Sequence, residues 1–319
     1  MKLKKPIDSA AKSITFGVEF ETVIPSSSGV STGSYHHGLP VRNGLNLTTG
    51  LTIDAPLFNR SIWKAERDGS IRCDAGFIPC EFVSPILKGE DGLSNLIQMT
   101  SFIRDIGGKV NDSCGLHITV GIQSIIGTLD PHAVAEFCRK LAHVAQANAW
   151  AIYAQTGAGR HVNSYSSVLR EEVEVIMRNM VRTTDPINLS TMANRCGRGM
   201  VNFNKVFSQG VIEFRAFAGT LNLNKIMHHL ATVLGICRRA ATVQTFGKFN
   251  RKESKKHAIA NSTDAVRRMW RLLGWVDSVP NRDVALGLFG VLHCNFGLYR
   301  KTALEMAEQF ESRFPVANL

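Results

Sequence analysis

Along residues 14 to 22, ITFGVEFET, apolar and polar positions alternate, which predicts a strand. Side chains of a strand alternate between faces, so Val18 and Phe20 share one side while Glu19 and Glu21 share the other. A Ser-, Gly-, Thr- and Asn-rich stretch at residues 26 to 60 then reads as a long loop or flap. Beyond it, SIWKAERDGSI and FIPCEFVSPIL are strand-like. The spacing of Leu93, Leu96, Ile97, Ile103 and Ile106 predicts a helix stopped by Gly107 and Gly108, and CGLHITVGI reads as the next strand. Asp130 as cap and Pro131 at the first helical position open a second helix, whose stripe Val134, Phe137, Leu141, Val144 and Ile152 runs to Gly157. SSVLREEVEVIMRNMV predicts another helix, and residues 184 to 199 read as irregular. GMVNFNKVF and GVIEFRAFAGT form two strands joined as a hairpin around Ser208, Gln209 and Gly210, followed by a helix over 222 to 245 and then short helices. There is no internal repeat. Strands and helices alternating irregularly, with a hairpin among them, predict a mixed α+β sheet rather than a doubly wound one.

Composition narrows the class. A chain of 319 residues with 44% hydrophobic content has ample material for a packed core in one large or two ordinary domains. Lysines near the start are not followed by an apolar stretch of signal-peptide length, and no run is long enough to cross a bilayer. A soluble, cytoplasmic protein is expected. Seven cysteines, an odd number scattered through the chain, point to reduced thiols rather than a disulfide framework. The net charge of +11 and pI near 9.5 suit a polyanionic partner: a nucleic acid, an anionic surface or a nucleoside triphosphate. The excess is concentrated between residues 238 and 272, where a solvated basic face is the plain alternative. Aromatic residues are only 8% and do not interleave with the basic ones, which argues against a nucleic-acid stacking platform.

The strands carry polar residues that their apolar patterns do not need. Glu19 and Glu21 stand on the first, Glu81 on FIPCEFVSPIL, His117 on CGLHITVGI, and Glu213 with Arg215 on one face of GVIEFRAF. Singly, each has an ordinary explanation: an exposed strand edge, a hydrogen-bonded histidine, a plain ion pair. Gathered on one sheet face, four glutamates and an imidazole would be costly unless hard cations neutralised them, and this donor set suits magnesium or manganese.

The ordered motifs G-V-E-F-E, D-G-S, C-E-F-V-S-P, C-G-L-H-I and I-E-F-R resemble the amidoligase family, a branch of the glutamine synthetase and glutamate-cysteine ligase superfamily, over about residues 14 to 245. The resemblance implies a curved, mostly antiparallel sheet of glutamine synthetase catalytic-domain type, with helices on the convex face. Residues 1–250 would be the catalytic domain, and 251–319 a basic linker and C-terminal helices packed on it. The concave face would bind ATP and two or more divalent cations, Mg2+ or Mn2+, and the reaction would join a carboxylate to an amine through an acyl phosphate. Carried over by position, Glu21 with Glu81 resembles a metal site near the substrate, and Glu19, His117 and Glu213 resemble the site that orients the nucleotide phosphates. Arg215 resembles the arginine that contacts the transferred γ-phosphoryl group, so Arg215, Glu213 and Glu81 form the expected catalytic set. Asp68 and Ser70 match the D-G-S motif without an assigned role. Family members often read H-x-H in the fourth motif, where this chain has His117-Ile118-Thr119.

Arg195 and Arg198 in NRCGRGM, and Arg160 in GAGRH, are arginines in glycine-containing loops that either clasp a phosphate or carboxylate or are simple surface turns. Cys73, Cys80 and Cys114 with His117 lack the CxxC spacing of a zinc site, and His36 and His37 fall on the flap surface. Two rival readings stand beside the ligase: a two-metal nucleic-acid-processing enzyme, and an inactive ligase-like binding or structural protein. The expected partners are ATP and small-molecule, peptide or protein carboxylates and amines, with no membrane, and with nucleic acid only through the basic C-terminal segment.

Overall fold

The computed structural model describes residues 13–41, 62–153, 156, 160 and 165–244. The expected flap beyond residue 41, the stop at Gly157 and the C-terminal helices lie outside the described residues, as does all but 238–244 of the basic region. The described chain is α+β, built on one sheet of seven strands in the order β2-β3-β4-β1-β5-β7-β6.

Strand β1 (Phe16–Pro25) lies at the centre, between β4 (Phe77–Val83) and β5 (Gly115–Gly121), antiparallel to both. On one side the sheet continues to β3 (Lys64–Glu66) and β2 (Leu39–Pro40), and on the other to β7 (Val211–Ala218) and β6 (Val201–Asn202). The alternation read from the sequence sorts the faces. Val18, Phe20, Phe82, Leu116, Ile118, Ile212 and Phe214 are buried in one apolar core, and the register stacks Phe20 opposite Phe82, Val18 opposite Ile118, and Ile118 opposite Phe214. Glu19, Glu21, Glu81, His117 and Glu213 fall on the opposite face.

Helices close the apolar side. Leu93, Leu96, Met99, Phe102 and Ile103 of α1 (Gly89–Asp105) join the core, and its partner Trp63 stacks on Phe20 and donates its indole N–H to Asn95 at 2.6 Å. After a short α2 (Gln123–Ile126), α3 (Pro131–Ala147) is capped as expected, with Asp130 accepting from the Ala133 N–H at 2.9 Å. It ends at Asn148, whose amide donates to the Val144 carbonyl, so Ile152 belongs to a separate α4 (Ala149–Tyr153) rather than to the same stripe. Helix α5 (Glu172–Arg182) starts later than its apolar pattern indicated.

Two expectations are corrected. Residues 184 to 199 are not irregular, for α6 (Pro186–Arg195) occupies most of them, capped by Asp185 on the Ile187 N–H. The strands β6 and β7 pair antiparallel, but a short helix α7 (Val206–Gln209) joins them instead of a hairpin turn, and β6 is only two residues long. Helix α8 (Leu223–Thr242), capped by Asn222, completes the apolar layer. The described cysteines are free, in keeping with reduced thiols, and among the described residues no helix is long and apolar enough to cross a membrane.

Candidate functional site

Cross-strand pairing assembles the acidic face. Glu66 of β3, Glu81 of β4 and Glu21 of β1 stand in one row, because Glu66 pairs with Glu81 and Glu81 with Glu21. Two residues along β1, Glu19 pairs with His117 of β5. The β5–β7 register slips between Leu116 and Ile118, so Arg215 and Ala216 both stand across from His117. A bulge of this kind re-aims side chains. Here it leaves Arg215 and Glu213 together beside the imidazole.

His117 is the hub of the cluster. Its Nδ1 lies 3.3 Å from Glu19 Oε2 and 3.5 Å from Glu213 Oε1, and its Nε2 lies 3.3 Å from Glu21 Oε1. Whichever nitrogen carries the proton, a carboxylate flanks the ring on each side. Arg215 donates from Nη1 to Glu213 Oε1 at 2.5 Å, and Asn202 donates from Nδ2 to Glu213 Oε2 at 2.7 Å. Gly115 donates its backbone N–H to Glu21 Oε2 at 2.5 Å. A Cβ at Gly115 would lie 2.8 Å from His117 Nε2 and 3.0 Å from Arg160 Nη2, so glycine is what lets these groups converge.

The electrostatics follow from crowding. Burial, with Glu19, Glu21, Asp68 and Glu66 around it, drives Glu81 well above the ordinary glutamate range. Burial also works to raise Glu19, but the hydrogen bond and charge of His117, aided by Lys205 and Arg215, outweigh it and hold Glu19 low. Arg215 loses some of its affinity for its proton to burial and more than regains it from Glu213. Arg160 is buried, donates from Nη2 to the Arg215 carbonyl at 2.8 Å, and its Nε has no partner among the described residues.

Ligand atoms of Glu19, Glu81 and His117 lie within 4.8 Å of one another, and so do those of Glu21, Asp68 and Glu81. Both groups offer hard oxygen donors, one with an imidazole, and Glu81 belongs to each. Carboxylates buried this closely need positive charge beyond two arginines, which fits divalent cations of the magnesium or manganese type. The residues expected from sequence, Glu19, Glu21, Glu81, His117, Glu213, Arg215 and Arg160, therefore meet on one face. Glu213 stands beside the Glu19 group, engaged by Arg215 and Asn202, while Asp68 joins the Glu21 group. Ser70 sits at the same turn, its N–H on Asp68 Oδ1 at 2.7 Å.

Arg198 is exposed, and its charge reaches Tyr35, whose phenol is raised by burial and by the charges of Glu81 and Asp68 against the pull of Arg198 and Arg215. Arg195 is exposed in the last turn of α6, its carbonyl accepting from Arg170. Among the described residues no contact draws Arg195 to the carboxylates. Two contributors escaped the sequence reading. Glu66 sits on a strand of three residues, too short for an alternation to show, and accepts the His36 N–H at 2.7 Å. Lys205 lines a cavity of about 600 Å³ that opens beside Glu19 along the same sheet face, with Thr119, the residue in place of a second histidine, on its floor.

Together these features define a buried acidic cluster on an antiparallel sheet, and the chain belongs to the amidoligase family: the family model described as "Putative amidoligase enzyme" matches residues 12–237. No curated protein matches the chain. A solved structure of a bifunctional glutathione synthetase from Pasteurella multocida is similar at a TM-score of 0.37 and 13% identity over 96% of this chain. The match covers 48% of that structure, so this chain spans about half its length.

Proposed function

We propose that this protein is an ATP-dependent carboxylate-amine ligase with two or more divalent cations, its sheet of the glutamine synthetase catalytic-domain type. The observation that carries the reading is the pair of donor groups sharing Glu81 beside Arg215, next to a cavity of nucleotide size. Glu19, Glu81 and His117 would hold one cation with Glu213 at hand, and Glu21, Asp68 and Glu81 the other. When bound, the cations supply charge neutralisation for phosphate oxygens.

A carboxylate does not accept an amine directly, because its oxygen is a poor leaving group. In the proposed reaction a carboxylate oxygen of the acid substrate attacks the γ-phosphorus of ATP, the bond to the β-bridging oxygen breaks, and ADP departs. The amine then adds to the carbonyl carbon of the acyl phosphate, the C–O bond to phosphate breaks, and one amine proton is lost. Arg215, fixed by Glu213 and by its Nε on the Tyr165 carbonyl at 3.2 Å, is placed to neutralise charge on the transferring phosphoryl group. Arg160, at the Glu21 end, is placed to receive an anionic part of the acid substrate. The net positive charge of the chain favours acidic acceptors such as peptides rich in carboxylates.

Purified protein with Mg2+ or Mn2+ is to be incubated with ATP and a matrix of acids and amines, peptides included, following ADP and phosphate release. Release that requires the acid, with hydroxylamine trapped as a hydroxamate, is the expected result. Cleavage of DNA or RNA without ATP, or ATP turnover indifferent to every acid, would defeat the reading.

A further inference from the structure

We propose, resting on the ligase reading above, that Glu66 is a positioning residue: it holds a strained turn of residues 34–37 against β3, and the turn thereby presents the ring of Tyr35 to the ammonium group of the amine substrate. Glu66 is 6% exposed and stands first in the row Glu66, Glu81, Glu21. Yet among the described residues it belongs to neither group of clustered donor atoms. Its Oε2 accepts the His36 N–H at 2.7 Å instead. A buried carboxylate turned onto a backbone amide fixes the path of the chain.

The turn needs holding. His37 donates to the Ser34 carbonyl at 2.9 Å, closing four residues, and His36 sits third among them with φ 62°, where glycine is the usual occupant. A histidine in this left-handed region persists where its neighbours enforce it. The ends are joined to β3, for Gly33 donates to the Ala65 carbonyl and accepts the Arg67 N–H, each at 2.9 Å, and Leu39 pairs with Ala65. A Cβ on Gly38 would lie 2.9 Å from Glu66 Oε1, so the carboxylate packs directly on the returning chain. What the turn presents is Tyr35, 46% exposed, its ring on the His36 imidazole with centroids 3.8 Å apart. The charges of Arg198, Glu81, Asp68 and Arg215 all reach its phenol, which sets it beside the acidic face. Of the three substrates in the proposed reaction, two are anions that Arg215 and Arg160 are placed to meet. The amine arrives as a cation, and an electron-rich ring beside carboxylates suits it.

The test is steady-state kinetics of the full chain with Mn2+, ATP and the acid that best supports ADP release. The acceptor is methylamine, a cation at neutral pH, or hydroxylamine, which is largely neutral there. Glu66→Ala and Tyr35→Leu are each expected to raise KM for methylamine by about 10-fold, with KM for hydroxylamine within about two-fold and ADP formation without amine unchanged. Glu66→Gln, whose amide oxygen accepts the same N–H, should restore the wild-type KM. The double variant Glu66→Ala/Tyr35→Leu should be no worse than Tyr35→Leu alone. Mn2+ binding to Glu66→Ala should change by less than about three-fold. A larger loss of Mn2+ affinity, a Glu66→Gln defect equal to that of Glu66→Ala, or additive losses in the double variant overturns the positioning role. Tyr35 is exposed, so Tyr35→Leu tests the contact even where Glu66→Ala fails to fold. An equal change for both amines, or a wild type that forms ADP with the acid yet rejects methylamine, overturns the ammonium contact and spares the ligase reading. A wild type that forms no ADP with any acid overturns both.

Discussion

Gly115 holds Glu21 by its backbone: the N–H of β5 reaches across to Oε2 of the β1 glutamate at 2.5 Å, with no side chain between them. A methyl group there would crowd His117, Arg160 and Glu21 within 3.1 Å. Gly115→Ala is therefore expected to shift all three and to lower ligase turnover by about 100-fold, the cost of misplacing reacting groups by an ångström. Thermal unfolding should change far less than turnover. Steady-state kinetics beside a melting curve checks this, and an unaltered kcat would show that the close approach is dispensable.

Glu81 lies in both donor groups, so one substitution should disturb both cations. Glu81→Gln is expected to weaken Mn2+ binding at each site, read by isothermal titration, and to abolish ligation. Its effect on the metal-free fold has the opposite sign. Burial, followed by the neighbouring carboxylates, raises Glu81 in the folded state above its unfolded value. The folded protein then holds the proton more tightly, and stability falls as pH rises from the ordinary glutamate value through the raised one. Metal-free Glu81→Gln should thus melt higher than metal-free wild type at neutral pH, and added Mn2+ should raise the wild-type melting temperature more.

Arg215 brings a guanidinium nitrogen to 3.5 Å from His117 Nδ1 and neutralises Glu213 beside it. Arg215→Met should cost about 1000-fold or more in turnover, the scale of removing an arginine that stabilises transferring phosphoryl charge. Arg215→Lys should recover little, because an ammonium cannot engage Glu213 and the Tyr165 carbonyl in one planar fork. Single-turnover measurement of ADP formation separates this from a defect in nucleotide binding.

The central strands were legible because they are long enough to show their period. β1, β5 and β7 alternate cleanly, so their sequences alone assign Glu19 with Glu21, His117, and Glu213 with Arg215 to the polar faces of their strands. What alternation cannot give is the register between strands. The bulge that sets Arg215 against His117, and the shared position of Glu81, arise from pairing alone. Helix α6 was missed although Asp185-Pro186 is the same cap and first-turn signal that marked α3. Its interior, INLSTMANR, buries only Leu189 and Ala193, too few for a stripe to stand out. Asp68 entered the site through a turn whose motif was visible but whose direction was not.

Asp68 offers the sharpest dissection of the two proposed cation sites, because it belongs to the Glu21 group and not to the Glu19 group. Asp68→Asn should weaken the second Mn2+ equivalent by about 10- to 100-fold while leaving the first within a factor of about two. Both equivalents shifting together would mean that the two groups form a single site.

His229 gives a prediction outside the site. It is buried in α8 and stacked on Phe217 of β7 with ring centroids 4.3 Å apart, and burial, with His228 and Lys225 nearby, lowers it to about 3. The ring is therefore neutral when folded but takes up a proton once unfolded below its ordinary value of 6.5. Unfolded chains then bind the extra proton, so stability declines as pH falls below 6.5, by about 1.4 kcal/mol per pH unit from this group until the folded ring itself titrates. His229→Phe keeps the stacked ring without the titration and should flatten the acid limb of a denaturant-midpoint curve between pH 6.5 and 4.5. An acid limb equally steep in the variant would show that His229 does not govern this loss.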